Sequence, residues 1–212
     1  MDTQWRIRDH FPNLTDDLLS TLRLFHVELM RFNQTLSLIS TFTEKNADLL
    51  HFYDIIKASE FIIKDNPTIK EVYNYSSGNG LTGIIFGILN PQIKINIVVE
   101  DQRKLEFVKH IIARAQLANV HILNLKPDNL SIAGPSVNIT RDFSNLARTL
   151  LLGNKILAAG SMIYSLKGAD WFKELTALPS QISSTWNNEM AFEYELPEAL
   201  GPRVVIKSVK IA

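Results

Sequence analysis

The sequence predicts an α/β fold, a parallel sheet with crossover helices that is closed by an antiparallel hairpin and preceded by a helical leader. Three observations carry this. Apolar residues recur at helical spacing through the first part of the chain, short apolar runs then alternate with helical stretches, and the last segment reads as two strands on either side of a short turn.

From Thr15 the residues Leu18, Leu19, Leu22, Phe25, Leu29 and Phe32 mark one face of a helix capped by Thr15 or Asp16. A second helix is expected from Glu44 to Ile63, with Leu49, Leu50, Phe52, Ile55, Ile56 and Ile62 on a wide apolar face. Lys64 to Pro67 is a turn. Beyond it, strands are expected at Val72 to Tyr75, Ile93 to Val99, Val120 to Leu123, Val137 to Ile139 and Lys155 to Ser165. The helices between them are Leu81 to Leu89, Gln102 to Leu117, Phe143 to Leu152 and Trp171 to Leu178. Met190 to Leu196 and Val204 to Ile211, joined by Pro197 to Arg203, form the closing hairpin. The expected organisation is a helical cap over 1–65 and a Rossmann-like domain over 66–212, together one structural unit.

Composition narrows the function. The 212 residues, 46% hydrophobic and 21% charged, suit a globular chain with one sizeable core. With 22 basic and 22 acidic residues the net charge is zero, so a polyanion must be held by a local basic patch. The absence of cysteine excludes disulfides, thiolate metal centres and a cysteine nucleophile, and fits a cytoplasmic protein. The first residues lack the apolar run of a signal peptide, and no stretch reaches the roughly 18 apolar residues of a membrane span. No membrane partner is expected.

The segment Val72-Tyr-Asn-Tyr-Ser-Ser-Gly-Asn-Gly-Leu-Thr-Gly-Ile84 is a strand running into a glycine-rich turn and a helix. Gly78 and Gly80 are suited to positive φ and close backbone approach, and Gly83 to tight packing of the helix on the sheet. Glu100, at the end of the next strand, is placed to accept hydrogen bonds from a ribose diol. Nicotinamide dinucleotides and S-adenosylmethionine both use such a turn. The closing hairpin and the helical leader favour a methyltransferase.

Several separated segments resemble one bacterial family, the small-subunit ribosomal RNA guanine 7-methyltransferases, methyltransferase G or glucose-inhibited division protein B. Phe32-Asn33 with Leu36 to Ser40 resembles the family's Trp-Asn and Asn-Leu-Thr segment, and His51-Phe-Tyr-Asp54 its His-x-x-Asp-Ser. The glycine turn is similar to its Asp-x-Gly-x-Gly-x-Gly-x-x-Gly, Thr140-Arg141-Asp142 to its Ser-Arg-Ala, Tyr164 to Gly168 to its Leu-Lys-Gly strand end, and Val205-Ile206-Lys207 to its closing strand. The resemblance implies a class I S-adenosylmethionine-dependent methyltransferase fold with S-adenosylmethionine as cofactor and ribosomal RNA or the small ribosomal subunit as partner. It places Asn74, Ser76, Gly78, Gly80, Gly83, Glu100 and Asp128 around the cofactor and gives Arg141 and Lys167 the catalytic, RNA-facing positions.

The chain departs from the family's pattern at the cofactor. Asn74 replaces the acidic residue that opens the motif, which exchanges a charge-assisted hydrogen bond for a neutral one, and Ser76 replaces its first glycine. In Lys126-Pro127-Asp128, expected at the adenine, Asp128 is one methylene shorter than the family's Glu and Pro127 lacks an N–H. Methyl transfer to N7 of guanine requires no general base, so the lack of an acid-base dyad does not count against an enzyme. Two readings stay open: an active ribosomal RNA guanine-7 methyltransferase, and an inactive paralogue that serves as a binding or regulatory module for a protein partner that the sequence does not identify. A nicotinamide enzyme ranks behind both.

Arg103, Lys104 and Lys109 form the densest basic group, with Glu106 interleaved, and Arg103 and Lys104 are candidate RNA contacts beside Arg141 and Lys167. His51 and Asp54, three apart on a helix, suggest a hydrogen-bonded pair or helix packing, with no third ligand to make a metal site. Trp5, Trp171 and Trp186 offer rings for base stacking or for burial.

Overall fold

A computed structural model describes residues 4–75, 78–141 and 144–211. The leader is helical. After α1 (Ile7–His10), α2 (Asp16–Leu36) starts from Thr15, whose hydroxyl accepts from the Leu18 amide at 3.3 Å, so Thr15 and not Asp16 is the cap. Beyond α2, Asn33 shapes the bend: its Oδ1 accepts from the Ile39 amide at 2.7 Å and its Nδ2 donates to Glu44 at 2.6 Å, at the end of α3 (Thr41–Glu44).

The single helix expected from Glu44 to Ile63 is replaced by a π-helical turn, Asp48–Tyr53, that runs into α4 (Asp54–Asp65). The apolar spacing does not register the wider turn, because the buried residues Leu49, Phe52, Ile55 and Ile56 still fall on one broad face. At its start the fully buried Asp48 accepts from the Arg6 amide at 2.8 Å and from its guanidinium at 2.6 Å.

β1 (Glu71–Tyr75), β2 (Lys94–Val98), β3 (Val120–Leu123), β4 (Val137–Arg141) and β5 (Met162–Lys167) pair in parallel. α5 (Leu81–Leu89), α6 (Gln102–Arg114) and α7 (Leu146–Ile156) make the crossovers. After α8 (Trp171–Thr176) and α9 (Ser180–Ser183), β6 (Trp186–Leu196) and β7 (Gly201–Lys210) form the hairpin, and β7 lies antiparallel to β5. The order is β3-β2-β1-β4-β5-β7-β6, the class I methyltransferase arrangement expected from the sequence.

Three boundaries move. Lys155 to Ser165 is not one strand, because Lys155 and Ile156 close α7, a turn with Gly160 at φ 82° follows, and the strand starts at Met162. The run is apolar throughout, so its composition does not separate a buried helix end from a strand. α8 ends at Thr176 and leaves room for α9 after Pro179, which cannot donate to a continuing helix. The hairpin strands are longer than expected, and the turn between them holds Glu198 and Ala199 at positive φ.

One apolar core joins the cap to the sheet. Leu22, Phe25, Leu29, Phe52, Ile55 and Ile62 of the leader cluster with Val72, Ile95, Ile97, Ile139 and Tyr164. Each such side chain contributes about 1.5–3 kcal/mol on burial. The second cluster, with Leu146, Leu150, Ile163, Val204 and Ile206, includes Trp186, which is 2% exposed and donates to Asn154 at 2.8 Å. Burial, not base stacking, is the fate of Trp186.

Candidate functional site

The glycine turn follows β1 and leads into α5. Gly80 is at φ 70°, and a Cβ there would stand 2.8 Å from Val108. Gly83 lets α5 press on β2, since its Cβ would stand 2.7 Å from Ile97. At Gly78, φ 79°, a Cβ would meet, among the described residues, only the aliphatic stem of Lys104, at 3.8 Å. Lys104 therefore covers the turn, while Arg103 beside it is 76% exposed with its guanidinium 3.7 Å from Asp101.

Asn74 is 1% exposed. Its Oδ1 accepts from the Gly83 amide at 3.1 Å and its Nδ2 donates to the Ile139 carbonyl at 2.9 Å, so the carboxamide ties α5 and β4 to β1. A carboxylate could accept from Gly83 but could not donate to Ile139. The amide has a role of its own here. Asn79 links the turn to the cap: it donates to the Leu38 carbonyl at 2.9 Å and accepts from the Leu81 amide at 3.1 Å. Ser76, also expected here, lies outside the described residues, as does Asp142 beside Arg141.

Glu100 stands two residues past β2 with its carboxylate 57% exposed and 3.7 Å from Lys126. Asp128 sits in the 3-10 turn Pro127–Asn129, 64% exposed and 3.5 Å from Lys155. Both carboxylates stand at the rim where the parallel strands end. This edge fits a nucleoside cofactor: open backbone at Gly78, and two exposed acceptors on the loops after β2 and β3.

Along the same edge, β4 ends at Arg141 and β5 at Lys167, which the parallel register puts side by side, Arg141 opposite Leu166. They line a pocket of about 220 Å³ together with Thr43, Leu50, His51, Asp54, Gly168 and Arg203. Arg141 donates from Nε to Asp54 at 2.8 Å and from Nη2 to the Leu50 carbonyl at 2.8 Å. Asp54 also accepts from the Tyr194 hydroxyl at 2.5 Å, and Arg203 lies 3.9 Å away. Burial first, and Asp54 next, push the Tyr194 hydroxyl far above the usual phenol range. Lys167 donates to Glu174 at 2.8 Å and to the Ser144 carbonyl at 2.7 Å.

His51 and Asp54 meet at this pocket, but each takes its own partner, with His51 Nε2 3.0 Å from the Thr43 hydroxyl. The π-helical turn carries His51, and Asp54 opens α4 just after it. Burial, then Arg141 and Arg203, hold His51 well below the usual imidazole range. Arg141 and Lys167, expected from the sequence, lie together at this pocket, and Thr43, Tyr194, Glu174 and Arg203, which the sequence did not single out, lie beside them. Their only signal would have been the fold, which brings residues of the cap, α8 and the hairpin to the strand ends. Lys109 pairs with Glu106 at 2.8 Å, a solvated ion pair.

The chain matches the family described as rRNA small subunit methyltransferase G over residues 18–196. It is 36% identical over 208 residues to the ribosomal RNA small subunit methyltransferase G 3 of Bdellovibrio bacteriovorus, covering 98% of this chain and 94% of that one. It is 24% identical over 211 residues to the ribosomal RNA small subunit methyltransferase G of Staphylococcus aureus, covering 96% and 87%. Among solved structures, MtNAS in complex with S-adenosylmethionine aligns with a TM-score of 0.60 at 11% identity, over 99% of this chain and 85% of that one. The precorrin-6y C5,15-methyltransferase of Geobacter metallireducens aligns at 0.54 and 13% identity, over 73% and 88%. At such identities the two structures speak for the fold alone. The profile match and the Bdellovibrio relative go further, and on them the chain belongs to the rRNA small subunit methyltransferase G family.

Proposed function

We propose that the protein transfers a methyl group from S-adenosylmethionine to N7 of a guanine in small-subunit ribosomal RNA. The observation that carries this reading is the shared sheet edge: the positive-φ glycine turn after β1 stands beside strands whose last residues, Arg141 and Lys167, face a common pocket. Gly78 lets the methionine end approach the backbone, Gly80 holds the turn against Val108, Glu100 accepts from the ribose hydroxyls, and Asp128 accepts from the adenine amine. Asn74 acts one step back, through Gly83 and Ile139, by fixing the shape of the turn.

When bound, the cofactor supplies an electrophilic sulfonium methyl. The guanine N7 lone pair forms the new bond as the sulfur keeps the electron pair of the old one, and no proton moves. The protein's task is alignment. Arg141 and Lys167 orient the RNA at the pocket, with Arg103 on the outer face of α6 as a phosphate contact and Lys104 nearer the cofactor turn. Arg141 is pre-set for this by Asp54 and the Leu50 carbonyl.

Calorimetric titration with S-adenosylmethionine and S-adenosylhomocysteine, followed by transfer of a labelled methyl group to small-subunit RNA and chemical cleavage at 7-methylguanosine, tests this reading. Micromolar binding and label at one guanine are expected. Failure to bind either nucleoside would overturn it and leave the inactive paralogue.

A further inference from the structure

We propose that His51 selects guanine over adenine by accepting a hydrogen bond from the base's N1–H on its Nδ1, and that Thr43 sets the tautomer that makes this possible. The inference rests on the reading of the pocket as the site of the target base, and names the group that chooses the base.

The tautomer follows from counting hydrogens. Thr43 has one hydroxyl proton, which it donates to the Ser40 carbonyl at 2.7 Å. Its Oγ1 can then only accept from His51 Nε2, 3.0 Å away. His51 Nε2 therefore carries the proton, and in the neutral ring Nδ1 is a bare acceptor. The ring stays neutral because burial, Arg141 and Arg203 all disfavour the imidazolium.

Nδ1 is buried and has no hydrogen-bond partner. Such an orphan is uncommon in a folded protein and calls for an explanation. The ring is 6% exposed and belongs to the wall of the Arg141–Lys167 pocket. The cationic wall groups, Arg141, Lys167 and Arg203, cannot accept, and Arg141 and Lys167 already donate to Asp54 and Glu174. Asp54, the pocket's carboxylate, is bonded to Arg141 and Tyr194.

A base entering this pocket meets the cations of Arg141, Lys167 and Arg203 and, at His51 Nδ1, a neutral acceptor without a partner among the described residues. Guanine matches them with O6 beside N1–H. Adenine inverts the pattern, placing an amine against the cations and a lone pair against Nδ1. Holding guanine by this edge leaves N7, on the other side of O6, open to the methyl donor.

The test uses the full chain and the variant His51→Gln, whose amide nitrogen keeps the bond to Thr43 while removing the acceptor at Nδ1. RNA carrying guanine, inosine or adenine at the target position is offered to both proteins and methyl transfer is measured, with S-adenosylmethionine affinity and thermal melting alongside. Inosine keeps O6 and N1–H, so the unmodified protein should treat it like guanine. His51→Gln should lose about ten-fold in kcat/KM on guanine, the value of one hydrogen bond to a buried group, with cofactor affinity and melting unchanged. Guanine activity within two-fold of the unmodified protein, or a loss matched by a loss of cofactor affinity, overturns the proposal.

A readout that needs no turnover separates this from the parent reading. On adding guanosine monophosphate, the nitrogen chemical shift of His51 Nδ1 should move away from that of a bare acceptor, and adenosine monophosphate should leave it in place. Equal responses would sink the role of His51 even where methylation of guanine is established. A selective response in a protein that methylates no RNA would sustain the role of His51 and reject the methyltransferase reading.

Discussion

The two ends of the sheet edge are built differently. Around the glycine turn the side chains bond backbone atoms, two residues apart from Leu81 to Asn79 and nine from Gly83 to Asn74, but also 41 from Asn79 to Leu38 and 65 from Asn74 to Ile139, with solvent-exposed carboxylates at the rim. At the pocket, Asp54 is joined to Arg141 across 87 residues and to Tyr194 across 140, and its side chain is 2% exposed. The turn depends on backbone shape and tolerates exchanged side chains, provided the backbone partners are satisfied. The pocket depends on charges that three separate parts of the chain must bring together. Substitutions on the two sides should therefore differ in size and in their response to pH.

The largest effect is expected on the pocket side. Asp54→Ala removes the carboxylate that accepts from the Arg141 guanidinium, 10% exposed, and leaves the Tyr194 hydroxyl the Asp54 backbone carbonyl at 3.0 Å as acceptor. Breaking a buried pair by removing one partner costs about 3–5 kcal/mol. Urea unfolding should show a loss of that order, and Tyr194→Phe, which keeps the ion pair, a smaller one. A loss below about 1 kcal/mol for Asp54→Ala would mean that Arg141 finds other partners, against the typical cost of a buried unpaired charge.

This contrast explains what was legible in the sequence. The glycine turn, the crossover helices and the strand ends at Arg141 and Lys167 could be read because each is written in consecutive residues with a local period or motif. Asn74 was read as a weakened cofactor contact, since its partners, the Gly83 amide and the Ile139 carbonyl, are backbone atoms that no motif names. Arg203 closes the stretch expected as the hairpin's connection and nothing in its neighbours marks it as a pocket residue, and the π-helical turn under His51 has the same apolar pattern as an ordinary helix. Lys155 to Ser165 was misread for a related reason: a buried helix end and a buried strand are both simply apolar.

A smaller effect, on the turn side, separates the two accounts of Asn74. If the residue were a degenerate version of an acidic contact, Asn74→Asp would be harmless or helpful. The geometry predicts harm, because an ionised Asp cannot donate to the Ile139 carbonyl and leaves it facing a carboxylate, at a cost of about 1–3 kcal/mol. The new carboxyl should have its folded-state pKa raised, so the variant is closest to the unmodified protein at low pH and loses stability as pH rises through that raised value. Urea midpoints for both proteins between pH 4 and pH 8 give the difference, and a gap that does not widen with pH would remove the hydrogen-bond account.

The smallest effect is expected from the cap's histidines, and it has the opposite sign. Burial first, and Arg23 next, lower His26 to about 4, although Asp48 pulls the other way, and His51 is also held well below its usual value. A histidine whose pKa is lower folded than unfolded binds fewer protons in the native state. Its stabilising contribution is complete above the unfolded value near 6.5 and falls away as the solution is acidified. At pH 5.5 protonation linked to His26 should cost about 1.2 kcal/mol relative to pH 7, and His51 adds a loss in the same direction. His26 touches Trp5 and Phe52 of the cap core with ring centroids 5.0 and 5.4 Å away, so its protonation should loosen the leader against the sheet. His26→Gln, compared with the unmodified protein by urea unfolding at pH 7 and pH 5.5, should show a flatter decline on acidification. An equal decline in both would place the acid sensitivity elsewhere, in the carboxylates, and return the two sides of the molecule to the same footing.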